Sequence, residues 1–210
     1  MRFLRRPVLL LGLLLAPLAS LTGQPSAALG TGVDQAEWDR RFKLGASSLL
    51  GIPSFGVERP LARPGRSFQW DVAISPWASV NGYPFQLAMF TAERRAYREA
   101  TGQGWYAGLH LGVGLFRLQR WDYSDTTIYH EGGNFMVGGS FGHVWRTRRG
   151  TTLDVYAGAG TVQSAYKSYD RLTGSRNDTA ELWNISGEWL PYRTGIAIGI
   201  PRRRSGDARP

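Results

Sequence analysis

The sequence predicts an all-β protein, an eight-stranded antiparallel up-and-down β-barrel with transmembrane strands. Three observations favour this fold class. Long segments alternate between large apolar and small or polar residues, and the connections between them alternate in length. The 210 residues also include 27 Gly, 8 Trp, 9 Tyr and 9 Phe. A period of two places one face of each strand in an apolar medium and the other face elsewhere.

Residues 1–23 have the layout of a secretory signal peptide. The basic stretch Met1–Arg6 precedes the apolar stretch Val8–Leu21, which is too short to span a bilayer as a helix, since a span needs about 20 residues. The alternative is an uncleaved amphiphilic N-terminus. Residues 24–41 are expected to be a periplasmic lead-in, with either a short helix over Asp34–Arg41 or no regular structure.

The barrel is expected over residues 42–201, and its first four strands follow from alternation and turn signals. Phe42–Leu50 alternates and ends before a Gly-Ile-Pro turn signal. Phe55–Arg59 is short and is ended by a proline. Ser67–Ser75 carries large apolar residues at every second position. Phe85–Tyr97 alternates less cleanly toward its end.

The last four strands show the clearest alternation. Gly104–Gln119 sets tryptophan, leucine and valine against glycine, tyrosine and histidine. Gly132–Arg146 and Thr151–Tyr166 repeat the pattern and place glycines on one face, where a tightly curved wall can accommodate them. Tyr192–Ile200 places three isoleucines on one face. Residues 202–210 are expected to be a basic, disordered tail.

The connection lengths predict an orientation in the membrane. Outer-membrane barrels have an even number of strands, short periplasmic turns and longer outside loops. With a periplasmic N-terminus, the tight turn Thr147–Gly150 is periplasmic, and residues 120–131 and 167–191 form outer loops. The sequence therefore predicts the cell outer membrane as the location. Outer-membrane lipid and the barrel-assembly machinery are the expected partners.

Aromatic residues are expected at the two lipid interfaces. Phe135 and Trp145 share a parity and lie ten residues apart, about 33 Å along a strand at roughly 3.3 Å per residue. At a tilt of about 40° this is roughly 25 Å of height, the apolar band of such a barrel. The predicted interface aromatics are Trp70, Trp105, Trp121, Phe135 and Trp145.

Four ionisable residues fall on the inner parity and are predicted to form a polar cluster in the lumen: Glu58, Asp71, His110 and Asp154. Unpaired buried charge is unfavourable, so these groups need internal partners. A structural plug of paired side chains is the favoured interpretation, because small barrels fill their interiors. The alternative is a catalytic pair in which His110 acts with an acid as general base.

Other chemistry finds little support. Ser140 and His143 suggest a lipid-modifying hydrolase, but their parities differ, so they should face opposite sides of the strand. The chain has no cysteine, which excludes a thiolate metal site. Neither a catalytic residue, a metal ligand nor a cofactor is assigned. The basic residues are concentrated at the two termini without a stripe of stacking aromatics, so nucleic acid is not an expected partner.

Several glycine-aromatic segments resemble the family called domain of unknown function 3575. Its C-terminal half is similar to Gly104–His110, Gly132–Gly133, Val137–Trp145 and Leu153–Gly160, and its N-terminal half to Leu44–Leu50, Phe55–Glu58, Trp70–Val72 and Pro76–Trp77. The resemblance covers about residues 42–200. It implies an outer-membrane barrel of Gram-negative bacteria that carries a signal peptide and has no assigned activity.

The function expected from the sequence is that of a small, monomeric outer-membrane barrel with a structural or surface-binding role and no wide pore. The outer loops 120–131 and 167–191 carry aromatic residues among charges, which either face an extracellular ligand or protein or belong to the lipid interface. Two alternatives stay open, a lipid-modifying outer-membrane enzyme and a soluble periplasmic ligand-binding barrel. The second would require a continuous apolar lumen.

Overall fold

The structure is a computed structural model and describes residues 38–47, 51–119, 127–176 and 184–203. These residues form one antiparallel sheet. Its strands are β1 (Trp38–Ser47), β2 (Ile52–Pro60), β3 (Arg66–Ile74), β4 (Ser79–Val80), β5 (Tyr83–Tyr97), β6 (Gly104–Leu118), β7 (Ile128–Arg146), β8 (Thr152–Asp170) and β9 (Asn184–Arg203).

Among these residues no helix has the length and apolar character needed to cross a membrane.

The sheet closes into a ring of eight strands. Its order is β3-β2-β1-β9-β8-β7-β6-β5, and β3 pairs with β5 to complete the circle. The first and last strands, β1 and β9, lie side by side. The two-residue strand β4 pairs only with the start of β5, because it belongs to a small hairpin at one rim. The ring confirms the predicted all-β, eight-stranded antiparallel up-and-down fold.

The polarity of the ring is the reverse of that of a soluble domain. On β6, Leu109, Leu111 and Leu115 point outward and are 54–69% exposed, whereas the inward-facing Tyr106 and His110 are each 2% exposed. The same alternation recurs along the other long strands, so mostly apolar side chains face outward, and the interior combines charged and polar side chains with a buried cluster that includes Tyr97, Val144 and Tyr156.

The N-terminal boundary of the ring differs from the prediction. Trp38–Arg41 belongs to β1, not to a lead-in or a short helix, because it pairs with the end of β9 and buries Arg41 completely. The strand β9 in turn continues to Arg203, two residues into the predicted tail. The predicted leader at 1–23, most of the lead-in and most of the tail lie outside the described residues.

Several strands are longer than predicted: β2 begins at Ile52, inside the predicted Gly-Ile-Pro turn, β5 begins at Tyr83, and β7, β8 and β9 continue past their predicted bounds. The strands β7 and β8 pair in register from Arg146–Thr152 up to Ile128–Asp170, so backbone pairing continues past the end of the apolar alternation. The strand β9 continues through Pro191, where the register against β8 shifts between Gly158 and Gly160. A proline has no N–H to give to a sheet ladder, and a bulge tolerates that loss. The predicted outer loops are correspondingly shorter.

Candidate functional site

The interior of the ring holds a cluster of buried charged side chains, which we call the ionic chain. It contains four bases and four acids, all at most 7% exposed: Arg41, Lys43, Arg95, Arg193, Glu58, Asp71, Glu93 and Asp154. Their formal charges cancel. All eight occupy inward positions of their strands, where the alternation that turns apolar residues outward turns them into the lumen.

One half of the ionic chain joins β1 to β2 and β8. Arg41 Nη1 lies 3.4 Å from Glu58 Oε2, and Lys43 Nζ lies 2.9 Å from that same oxygen. The ammonium of Lys43 also lies 2.7 Å from Asp154 Oδ2 and donates to Gln69 Oε1 at 2.7 Å. Lys43 therefore bridges two carboxylates.

The other half continues from Asp154 across the lumen. Arg95 lies 2.7 Å from Asp154 Oδ2 and 2.9 Å from Glu93 Oε2. Arg193 lies 2.7 Å from Glu93 Oε2 and 2.9 Å from Asp71 Oδ2. From Arg41 to Asp71 the eight charges thus alternate in sign, and each inner member contacts two opposite charges.

Hydroxyl groups occupy remaining acceptor positions on the carboxylates. Tyr97 and Ser67 donate to Glu58 Oε1 at 2.5 Å and 2.6 Å. Tyr106 donates to Asp154 Oδ1 at 3.1 Å, and Ser140 donates to Glu93. Buried ion pairs offset their desolvation only when such additional hydrogen bonds satisfy the remaining lone pairs.

Glycines make room for these side chains. A Cβ at Gly108 would lie 2.3 Å from Glu93 Oε1 and 2.6 Å from Ser140 Oγ. One at Gly199 would lie 2.5 Å from Cδ of Arg41. The ionic chain therefore fills the space that the missing side chains leave, and the inner glycines serve packing as well as curvature.

His110 lies beside the ionic chain and not within it. Its Nε2 is 2.7 Å from the Tyr192 hydroxyl, and its Nδ1 has no partner among the described residues. The β9 bulge explains this contact, because the extra residue lets Tyr192 and Arg193 both point inward despite being neighbours. A histidine–carboxylate hydrogen bond, which a general base of this type would use, is not formed within the described part of the chain.

The structure places the four predicted lumen residues, Glu58, Asp71, His110 and Asp154, on the inner wall. Glu58 and Asp154 share Lys43, Asp71 joins through Arg193, and His110 stands apart. Sequence reasoning missed Arg41, Lys43, Arg95 and Arg193 and left Glu93 unassigned. Arg41 and Lys43 could have been found from the alternation of β1, because Phe42 and Leu44 between and beside them face outward. The position of Arg193 depends on the bulge, which no local pattern indicates.

The outer wall carries the aromatic residues predicted for the interface. Trp105, Phe135 and Trp145 are 45–51% exposed on that face, and Trp70 is half-buried there. The rings of Trp105 and Phe141 stack at 4.9 Å between centroids. Trp121 lies outside the described residues.

A charged pair lies at one border of the outer apolar surface. Arg117 Nε lies 2.9 Å from Glu131 Oε1, and the two residues face each other across β6 and β7. Apart from the half-buried His143, both strands carry only apolar or glycine residues on their outer face from this pair down to Trp105 and Trp145. The apolar belt therefore ends at an ion pair on one side and at aromatic rings on the other.

Ser140 and His143 lie on opposite sides of β7. The Ser140 hydroxyl is buried against Glu93, whereas the His143 ring contacts Trp105 and Trp145 on the outer face. These two residues therefore do not form a nucleophile and base pair. Among the described residues no group of three or more His, Cys, Asp or Glu is placed to hold a metal ion.

Comparison with family models gives a match over residues 45–197 to a family described as "Protein of unknown function (DUF3575)". Neither the curated proteins nor the solved structures gave a match.

Proposed function

Because the chain belongs to the DUF3575 family, whose description assigns no activity, we propose a role for it from its own geometry. The protein is a small outer-membrane β-barrel with a sealed lumen. It acts as a structural and surface-binding element and not as a pore. Its chain termini face the periplasm, and its longer connections face outward.

The reversed polarity of the ring is the observation that carries this proposal. Large apolar side chains are exposed on every long strand, including Leu44, Phe68, Phe90, Leu115 and Ile198, which are 40–69% exposed. Soluble monomers rarely expose an apolar patch larger than a few hundred Å². A closed ring leaves no unpaired sheet edge around its circumference, and the hydrocarbon of a bilayer requires such closure.

The ionic chain supports the proposal that the lumen is sealed and does not transport solutes. Eight-stranded barrels have an interior just wide enough for side chains to fill, and here the ionic chain spans it from β1 and β2 to β5 and β9. A soluble barrel that binds an apolar ligand would need an apolar cavity in this place. The interior of this ring is charged and hydrogen-bonded instead, which favours the membrane barrel over that alternative.

The surface-binding part of the role rests on the extension of β7, β8 and β9. These strands have 19, 19 and 20 residues, against 9 in β2 and β3. They project at the end opposite the termini, and Ile185 and Trp189 on β9 are 81% and 71% exposed. A three-stranded ribbon with exposed aromatic and aliphatic side chains offers a contact surface to a partner outside the cell.

Membrane location and lumen closure can be tested together. The full chain is expressed in a Gram-negative host, the membranes are fractionated, and the gel migration of boiled and unboiled samples is compared. The purified protein is then added to planar bilayers. We expect the outer-membrane fraction, a heat-dependent shift in migration, and no stable conductance steps. Recovery of the mature protein in the soluble periplasmic fraction would refute the location, and large regular conductance steps would refute the sealed lumen.

A further inference from the structure

The excess of exposed positive charge is concentrated at one end of the ring. Arginines with exposed or half-buried side chains gather where the chain termini and the short connections meet, and we call nine of them the arginine rim: Arg40, Arg59, Arg63, Arg66, Arg98, Arg146, Arg148, Arg149 and Arg202. These residues come from five separate stretches of the chain, and the antiparallel closure of the ring brings the five stretches to the same end.

Little negative charge balances this rim. Asp39, which lies 3.2 Å from Arg40, and the exposed Glu99 are the acids found at this end within the described ranges. The ionic chain cannot compensate the rim, because its own four acids and four bases cancel. Arg59, Arg63 and Arg66 have no ion pair with any described residue. The rim therefore carries a strong excess of positive charge toward solvent.

The rim borders the apolar belt on the outer circumference. Arg59 and Arg66 occupy outward positions of β2 and β3 and are exposed. Arg59 faces the exposed Phe68 across the two strands. Both side chains therefore leave the wall on its outer face and not toward the lumen. In a lipid bilayer, the phosphates of the headgroups lie directly next to the hydrocarbon.

The opposite border has a different character. There Arg117 is paired with Glu131 at 2.9 Å, and Asp170 and Glu188 accompany Lys167, Arg171 and Arg176 farther along the same end, so that acids and bases are nearly balanced among the described residues. An ordinary solvated surface would distribute charge of both signs over both ends. The difference between the ends indicates a dedicated anionic partner for the arginine rim.

We propose that the arginine rim binds the headgroups of anionic glycerophospholipids in the leaflet at the terminal end of the barrel. This inference rests on the proposed membrane location. Arginine suits this partner, because its planar guanidinium donates two parallel hydrogen bonds to a phosphate and stays charged at any physiological pH. Basic residues next to a membrane also attract anionic lipid over a Debye length.

The test uses quenching of tryptophan fluorescence by lipids with brominated chains. Trp105 and Trp145 lie at the rim end of the belt, and the six other tryptophans are changed to Phe in every chain that is compared, so that these two report which lipid surrounds that end. The full mature chain is refolded into phosphatidylcholine vesicles, and insertion is checked by heat-dependent gel migration. A fixed fraction of brominated phosphatidylglycerol or brominated phosphatidylcholine is then included, and the quenching by the two lipids is compared.

The comparison includes a rim variant and a matched control. In the rim variant Arg59, Arg66, Arg148 and Arg149 are changed to Gln, and in the control the opposite-end residues are changed by R171Q and R176Q. We expect brominated phosphatidylglycerol to quench the wild type and the control at least about twofold more than phosphatidylcholine. The rim variant should lose this preference, and about 1 M NaCl should reduce it in the wild type.

Each outcome decides between the two proposals. A wild type that inserts but shows equal quenching by both lipids overturns the lipid-binding rim and leaves the membrane barrel standing. A rim variant that inserts and keeps the full preference also overturns the rim. A wild type that fails to insert into any of the vesicles overturns both. Should the rim variant itself not fold, the wild-type preference and its salt dependence still decide the question.

Discussion

Lys43 is the residue whose removal should disturb the ionic chain most. It is 2% exposed, and its ammonium lies within 2.9 Å of Glu58 and Asp154. A change to Met keeps the stem of the side chain but leaves both carboxylates one cation short. Removal of one partner from a buried ion pair typically destabilises a protein by about 3–5 kcal/mol. Because Arg41 and Arg95 still contact these acids, we expect the lower end, about 3 kcal/mol.

The assay is a urea titration of the barrel refolded in vesicles, with the folded fraction followed by tryptophan fluorescence and by heat-dependent gel migration. A stability change moves the midpoint without changing the slope of the transition. Arg117→Gln is the matched control, since it removes a cation from an ion pair whose side chains are 48% and 39% exposed. Exposed pairs contribute about 0.2–1 kcal/mol, so the control should shift the midpoint little.

A loss below about 1 kcal/mol for Lys43→Met, or a loss equal to that of the control, would refute the reasoning. It would mean that water or rearranged side chains replace the ammonium, so that the lumen is neither dry nor closely paired. Lys43→Arg provides a second comparison. It keeps the charge at that position and should restore part of the stability if charge is what the two carboxylates require.

Three further predictions use the same titration. Gly108→Ala should destabilise the barrel by about 1–3 kcal/mol, because the new methyl would overlap the Glu93 carboxylate. The control Gly139→Ala, whose Cβ would meet no atom closer than 3.6 Å, should be close to neutral. Equal losses of stability in the two variants would contradict this packing. Leu111→Arg, on the outer face, should cost about 2–4 kcal/mol in lipid, and a neutral effect would argue against lipid contact there. Tyr192→Phe, which removes the partner of the His110 imidazole, should cost about 1 kcal/mol, and no change would show that this hydrogen bond is unimportant.

The fold could be predicted because its main signal is local. The alternation on β6, from Trp105 to Leu115, can be recognised from neighbouring residues alone. The same alternation in the other segments gave the number of strands. The ends of the strands depend on distant residues. Ile128 and Asp170 extend β7 and β8 because they pair with each other, although no apolar alternation marks them. Trp38 belongs to a strand because β9 lies beside it.

The site was predicted in part for the same reason. An acid on a polar inner parity, such as Asp154, is recognisable from its own strand. Its partners Lys43 and Arg95 come from β1 and β5, and only ring closure brings them within 2.7 Å. The arginine rim is an example at larger scale, since it gathers residues from both halves of the chain. The composition alone predicts the total charge of the chain. The positions of the charges in space can be assigned only when the strand topology is known.

The most direct test of a lipid-embedded barrel is whether successive residues of β6 face lipid and lumen in turn when the protein is in a bilayer. The chain has no cysteine, so single cysteines at Leu109, His110, Leu111, Gly112 and Val113 can each carry a spin label. Oxygen, which concentrates in hydrocarbon, and a water-soluble nickel complex then report the surroundings of each label. We predict high oxygen and low nickel accessibility at the three outward positions, and immobile, inaccessible labels at the two inward ones. High nickel accessibility at the three outward positions would contradict a lipid-embedded barrel with a polar, sealed lumen.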